Sequence, residues 1–372
     1  MADRRNANHL TAGFLCFALL TTLSSAIFSP PDNYLIACGA SSAATLDDGR
    51  TFLPDHSGPS RPTFRADGHR VSPLHNPSHD VATLHRAASI FACPCSYEFE
   101  IKNKGVHFIR LHFYPFATPD YDLSYARFHV LASGFTLLSD FGTSTPLLKE
   151  YLINLDEGKF NISFAPAGRS FFGFVNAIEV VSAPKGLILD VARLVNPSQI
   201  TKFDGLSKQA METLYRINVG GPKVTPFNDT LWRRWVPDLE YLTPGSSSEI
   251  VTFSGRIKYQ KYGASREVAP DNVYNSARAM NSSGVSGADY NMTWEFPVAS
   301  GYKYLVRMHF CDIASMALNQ LYFNVYINGN LAYGDFDLSE SAGQMLAILC
   351  RLCCGCQCFG ALKHIDWPVQ AE

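Results

Sequence analysis

Ile109-Arg-Leu-His-Phe113 and Val306-Arg-Met-His-Phe310 are two copies of one pattern, 197 residues apart. In each copy three apolar residues alternate with an arginine and a histidine, the period of a strand with one apolar face. Upstream at the same offset, Tyr97-Glu-Phe-Glu-Ile101 matches Trp294-Glu-Phe-Pro-Val298. Downstream, at an offset of 195, Phe128-His-Val130 matches Phe323-Asn-Val325, and Asp140-Phe141 matches Asp335-Phe336. Towards the N-terminus, Val81 with Arg86-Ala87 aligns with Val273 with Arg278-Ala279. Tyr34 to Gly39 aligns with Tyr215 to Gly220, and Pro54-Asp55 with Pro237-Asp238. So long a series in one order predicts two homologous domains, A (residues 32–182) and B (213–340).

Each copy is a string of short period-2 segments separated by Gly, Pro, Asn and Ser, which is strand-and-turn chemistry. Strands with one apolar face pack in pairs of sheets, so the expected fold is all-β, two tandem β-sandwiches. Between them, residues 183–212 form a connector. Its Gly205–Thr213 stretch, with Ser207 as N-cap before Ala210 and Met211, predicts one or two helical turns. Composition agrees. The 372 residues are 47% hydrophobic and 13% aromatic but only 17% charged, which excludes a mainly disordered chain. Lys plus Arg is 31 against 33 for Asp plus Glu, so no basic excess exists to bind nucleic acid.

The N-terminus has the form of a secretory signal peptide, residues 1–26. Arg4 and Arg5 precede the apolar run from Leu10 to Leu23, then Ser24-Ser25-Ala26 supply the small residues of a cut site. The run is short for a membrane span. Four glycosylation acceptors agree with export: Asn161, Asn228, Asn281 and Asn291, none blocked by proline. Alternation around Asn161 and Asn291 turns both away from an apolar face. The expected location is the secretory pathway and the extracellular space.

Catalytic patterns are sparse. Asp140-Phe141-Gly142 spells the metal-binding tripeptide of kinases, but no Gly-rich loop, VAIK-like lysine or HRD motif accompanies it. Its counterpart in the second copy, Asp335-Phe336-Asp337, makes it a feature of the repeat. Glu98, Glu100 and Glu295 lie on regular strands without a convergent partner, so no enzyme, cofactor or metal site is expected. Four cysteines (Cys38, Cys93, Cys95 and Cys311) allow three disulfide connectivities. A run near the C-terminus, Cys350, Cys353, Cys354, Cys356 and Cys358, has spacing open to soft-metal binding, acylation or mixed disulfides. The favoured reading is unselected translation past a splice boundary. For ligand binding, rings and acids are the relevant groups: Trp232, Trp235, Asp238 and Tyr241 in a loop-rich stretch. The outward pairs Arg110/His112 and Arg307/His309 suit an acidic polymer or are a solvated sheet face.

Several stretches resemble the plant malectin-like receptor kinases of the Theseus and Feronia type. They are Glu212 to Pro222, Asn228 to Asp238, Phe174 to Ser182, Tyr302 to Ile313, and Tyr34 to Gly39. The resemblance implies tandem malectin-like sandwiches forming an extracellular ligand-binding module. Its implied partners are a cysteine-rich signalling peptide with a membrane-anchored co-receptor, or pectin-type cell-wall polysaccharide. Full-length members continue into a membrane helix and a kinase, which would place such a product at the plasma membrane. At an offset of 195, the counterpart of Phe160–Phe164 falls on Gly355-Cys-Gln-Cys-Phe359. Domain B is therefore expected to lack its last strands, from the counterpart of Tyr151 onward. Residues 341–372 are expected to be an unrelated Cys-rich tail, with no membrane span or kinase. Competing readings are a non-functional truncated receptor-kinase product and a carbohydrate-active enzyme.

Overall fold

The computed structural model describes residues 28–55, 62–66, 71–75, 82–244, 248–259, 264–280, 291–315, 322–338, 348–355 and 361–362. The expected signal peptide, the acceptor Asn281 and most of the tail lie outside these residues.

Domain A is built on strand Gly105–Phe113. It pairs antiparallel with Leu147–Leu155 on one side and Ala177–Ser182 on the other. Asn33–Ala37 extends the sheet beyond Ala177–Ser182 and takes Thr51–Pro54 in parallel. A five-stranded sheet lies opposite, in the order Phe135–Phe141, Phe128–Ala132, Gly158–Pro166, Cys95–Ile101, Thr63–Ala66. Ile109, Leu111 and Phe113 from one sheet meet Phe99, Phe128, Phe160 and Phe164 from the other in one core. Each such side chain contributes about 1.5–3 kcal/mol by leaving water, so this aromatic layer dominates the sandwich.

Domain B repeats the devices of domain A. Gly39 sits at φ 72° and Gly220 at φ 67°, a region open to glycine without strain. Asp55 accepts from the Gly39 N–H, the Ser89 hydroxyl and the Tyr97 hydroxyl. Asp238 accepts from the Gly220 N–H, Arg278 and the Trp294 indole. Tyr34 donates to the Glu100 carbonyl beside Phe99, and Tyr215 to the Pro297 carbonyl beside Phe296. Ser133-Gly134 and Asn328-Gly329 both have positive φ at both positions, the type I′ turn that matches strand twist. Asp140 and Asp335, at φ 47° and 46°, follow the same irregularity. Their N–H groups bond to His129 Nδ1 and Asn324 Oδ1 respectively. The kinase-like tripeptide is thus a repeated backbone kink.

These matches correct one alignment. A Cβ on Gly39 would meet the Ala88 carbonyl, and one on Gly220 the Ala277 carbonyl. Ala88 therefore corresponds to Ala277 and Ser89 to Arg278, so the pairing of Arg86-Ala87 with Arg278-Ala279 is three residues out of register.

The connector also differs from expectation. Its helical part is one 3₁₀ turn, Leu206–Lys208. Ser207 does not cap a following helix; its N–H and hydroxyl both bond to Asp190. The alternation in Val191–Val195 and Ile200–Asp204 instead makes a hairpin. That hairpin joins the sheet of domain B, while Met211–Glu212 joins the edge of domain A's sheet. The linking chain is woven into both domains.

Part of the tail belongs to domain B. Ile348–Gly355 pairs antiparallel with Lys303–Phe310, from Phe310↔Ile348 to Lys303↔Gly355. In domain A the same place is held by Leu147–Leu155, which pairs from Phe113↔Leu147 to Gly105↔Leu155. Ala361–Leu362 then pairs with Phe296–Pro297, as Phe160 pairs with Phe99. Counterparts of two strands expected to be missing are present. Six residues inserted after Asp335 move the offset from 195 to 201, which hides them from a fixed-offset comparison.

A Cβ on Gly39 would stand 2.4 Å from the Ala88 carbonyl oxygen, whereas Gly134, at φ 83°, has nothing within 4 Å. Gly39→Ala is expected to lose about 3 kcal/mol from left-handed strain plus overpacking, and Gly134→Ala only about 1–2 kcal/mol. Chemical denaturation of the two variants checks the difference.

Candidate functional site: the buried face between the domains

Along Gly105–Phe113 the residues that turn away from domain A's core are Phe108, Arg110 and His112. They are not solvated. Phe108 packs in a second apolar cluster with Leu84, Phe52, Leu152 and, from domain B, Leu231 and Val268. Domain B covers the outer face of the sheet.

Arg110, 1% exposed, is the centre of that face. Its Nε donates to Glu150 Oε2 at 2.8 Å, one Nη to Glu179 Oε2 at 2.8 Å, and the other to the Leu231 carbonyl at 2.8 Å. Glu150 also accepts from Arg216 of domain B and from the Thr213 hydroxyl. Glu179 accepts from Arg50 and from His112 Nε2, both at 2.9 Å. Arg50 is held by Asp48, and its guanidinium lies 5.5 Å from the Trp232 ring of domain B. Arg50, Arg110 and Arg216 thus balance Asp48, Glu150 and Glu179. Burial alone would raise the Glu150 carboxyl, but Arg216 and Arg110 outweigh it and hold it at about 2. Burial likewise opposes the Glu179 charge, and Arg110 with His112 and Arg50 holds its carboxyl well below the usual range.

A turn from domain B fits against this row. Asp229 accepts from both the Arg233 Nε and the Trp235 indole, and Arg233 donates onward to the Val268 carbonyl. The same carboxylate takes the Leu231 N–H, which aims the Leu231 carbonyl region at Arg110. Trp232 follows at φ 55°, a left-handed backbone that costs a non-glycine residue about 1–2 kcal/mol. Its ring closes a cleft of about 400 Å³ with Asn33, Leu35, Asp48, Arg50 and Leu53.

The residues singled out from sequence are not brought to one site. Arg110 and His112 do turn from the core, but both are buried, so an acidic polymer cannot reach them. Arg307 donates to the Leu187 carbonyl at 3.0 Å and His309 bonds to the Tyr274 hydroxyl at 2.9 Å; both are half-buried. Trp235 and Asp238 are buried, the latter bracing Gly220. Tyr241 is half-buried and stacks on Phe296 at 4.9 Å. Only Trp232 reaches the interface cleft. Sequence reading missed Arg50, Glu150, Glu179 and Arg216. The available signal was an ionisable residue inside a near-continuous apolar run, as in Ala177-Ile-Glu-Val-Val181, which marks a strand covered on both faces.

Other chemistry-bearing groups have structural partners. Glu98 pairs with Lys159 and Arg65. His107 Nε2 meets both Asp32 and Ser182, at 3.1 and 3.2 Å, so one nitrogen serves both, whereas a nucleophile relay needs two. That cluster ties Asp32 to the sheet. Cys93 and Cys311 are free thiols, and no group of three or more metal-binding side chains occurs among the described residues. No described helix is long and apolar enough to cross a membrane. Asn161, Asn228 and Asn291 are all exposed.

This architecture is a pair of β-sandwiches joined by a woven connector, and the sequence profile of the malectin-like domain matches residues 36–359. The chain belongs to that family, and the match reaches well into the tail expected to be unrelated. It is 43% identical to the receptor-like protein kinase THESEUS 1 of Arabidopsis thaliana, over 86% of this chain and 37% of that one. It is 45% identical to the probable receptor-like protein kinase At5g24010 of the same plant, over 89% of this chain and 40% of that one. The chain thus spans about two fifths of these relatives. The crystal structure of the receptor-like kinase ANX2 superposes with a TM-score of 0.78 at 27% identity, covering 92% of each chain. The complex of plant peptide RALF23 with FER and LLG2 gives 0.76 at 28%, over 92% of this chain and 90% of that one.

Removing one partner from a buried ion network leaves an uncompensated charge, so Glu150→Gln is expected to cost about 3 kcal/mol. Because the carboxylate is held at about 2 against an ordinary 4.5, its contribution is complete above 4.5 and lost as pH falls towards 2. Denaturation at graded pH checks both: the variant is destabilised at pH 7, and its stability falls less steeply below 4.5.

Proposed function

We propose that this chain is an extracellular recognition module that binds a secreted, cysteine-rich signalling peptide together with a membrane-anchored co-receptor. The observation that carries the reading is the match across both sandwiches to FER as it occurs with peptide RALF23 and LLG2. The buried charge network supports it, because two sandwiches held in one orientation present a composite surface to a bridging partner. The one kinase-like tripeptide, Asp140-Phe141-Gly142, is a repeated backbone kink, which favours recognition over phosphoryl transfer for this chain. Burial of Arg110 and His112 removes one of the two pairs that favoured a pectin-type polysaccharide. Exposure of Asn161, Asn228 and Asn291 supports N-glycosylation and export.

The test immobilises the purified chain and titrates RALF-type peptide with and without an LLG-type co-receptor. Expected is micromolar or tighter binding of the pair, with peptide affinity raised about tenfold or more by the co-receptor. Absence of peptide binding in both arms, from protein that unfolds cooperatively, overturns the reading. Failure to unfold cooperatively supports the truncated-product alternative.

A further inference from the structure

His85 and His112 form a pair at the edge of the interdomain face. His85 Nε2 lies 3.3 Å from His112 Nδ1, and His85 stacks on Tyr114 with ring centroids 3.4 Å apart. His112 hands its other nitrogen to Glu179, the carboxylate that also holds Arg50 and Arg110. The turn bearing His85, Thr83–His85, buries Leu84 in the cluster with Leu231 and Val268 of domain B. Two independent routes therefore join this histidine pair to the docked segment 229–235: one through Glu179 and Arg110 to the Leu231 carbonyl, one through Leu84.

We propose that the pair is a proton-operated catch, in which a second proton expels His85 from its stack and loosens domain B from domain A. The facing nitrogens have room for one hydrogen. While a single proton is shared, one ring donates and the other accepts, and Glu179 takes the hydrogen bond of the other His112 nitrogen. A second proton sets N–H against N–H and places two cations side by side. The ionisable groups that flank the pair or join it through hydrogen bonds include Tyr114, stacked on His85, Arg86, next to it in the chain, Glu179 from strand Ala177–Ser182, Arg110 from Gly105–Phe113, Glu150 from Leu147–Leu155, Arg50 with Asp48, and Arg216 from domain B. Only Glu179 touches His112, and its charge is already shared by two arginines. Burial, and after it His112, push His85 down to about 3 from an ordinary 6.5. A base depressed in the docked state takes up its proton on release, so docking is favoured above pH 6.5 and weakens as pH falls towards 3. Domain B has one imidazole at the corresponding place and not two: Tyr274 stands where His85 does, its hydroxyl bonds to His309 Nδ1 at 2.9 Å, and no second cation can form against the ring. The catch belongs to domain A alone.

The proposal concerns regulation of the two-domain body on which the recognition reading rests. Its test reads docking and not ligand capture, so either can fail alone. Hydrogen exchange of segment 229–235 is followed in the intact secreted chain at pH 7.5 and 5.0, corrected for intrinsic rates. Strand Phe160–Phe164 in domain A's core serves as reference. The lower pH stays above the window of Glu150. Linkage sets an upper expectation of about a 30-fold rise in exchange of the segment relative to the reference, with about tenfold or more expected. His85→Tyr, which copies the arrangement of domain B, is expected to abolish most of the rise. No rise in the parent overturns the proposal, whether or not the variant folds. So does an equal rise in a folded His85→Tyr protein.

Discussion

A guanidinium with almost no water contact has to be matched by fixed acceptors, and Arg110 obliges the rest of the molecule to supply them. Two carboxylates come from neighbouring strands of its own sheet and one carbonyl from the other domain. Taking such a charge out of water costs several kcal/mol unless every partner is in place. The arrangement therefore tolerates little freedom between the domains. Glu150 extends the constraint to Arg216 and Thr213, and Glu179 to Arg50 and His112. The connector does the same through the backbone, hydrogen-bonded to domain A at Met211–Glu212 and to domain B at Val191–Val195.

Comparing the two sandwiches separates what the fold requires from what this chain adds. The glycine braced by an aspartate, the tyrosine over a phenylalanine, the I′ turn and the aspartate kink occur in both domains and explain themselves as structure. Arg110 and Arg307 are also shared, and each reaches a backbone carbonyl outside its own sandwich, Leu231 in one case and Leu187 in the other. The pair of glutamates around Arg110 differs. In domain B the register opposite Arg307 is Arg351, where domain A has Glu150 opposite Arg110. The charge-balanced row is thus a property of domain A's outer face.

Much of the fold was legible because sandwich strands announce themselves by alternation. Ile109, Leu111 and Phe113 reach the core as the pattern requires, and the repeat located their partners in domain B. The site was less legible for a physical reason. Alternation shows that Arg110 leaves the core, but a polar residue facing water and one facing a second domain look alike along a strand. What distinguishes them is the company: Ile178, Val180 and Val181 are apolar on both phases around Glu179, which an exposed sheet face does not need. The tail was misread for a different reason. A constant offset cannot follow an insertion, and Ile348, Leu349 and Leu352 resemble strand Leu147–Leu155 only after six residues are allowed for.

The same network that fixes the domains limits what they can recognise. Arg50, Arg110 and Arg216 spend their charge on Asp48, Glu150 and Glu179, so the interface offers no excess positive field to draw an anionic ligand inward. Recognition by the outer surface then depends on shape held constant across the domain boundary. A partner that touches only one sandwich gains nothing from that rigidity. One that spans both avoids the cost of ordering them, because the ion network and the woven connector have already fixed their relation. The proposed partnership of a peptide with a second protein suits such a body, since its binding energy need not go into bringing the two sandwiches together.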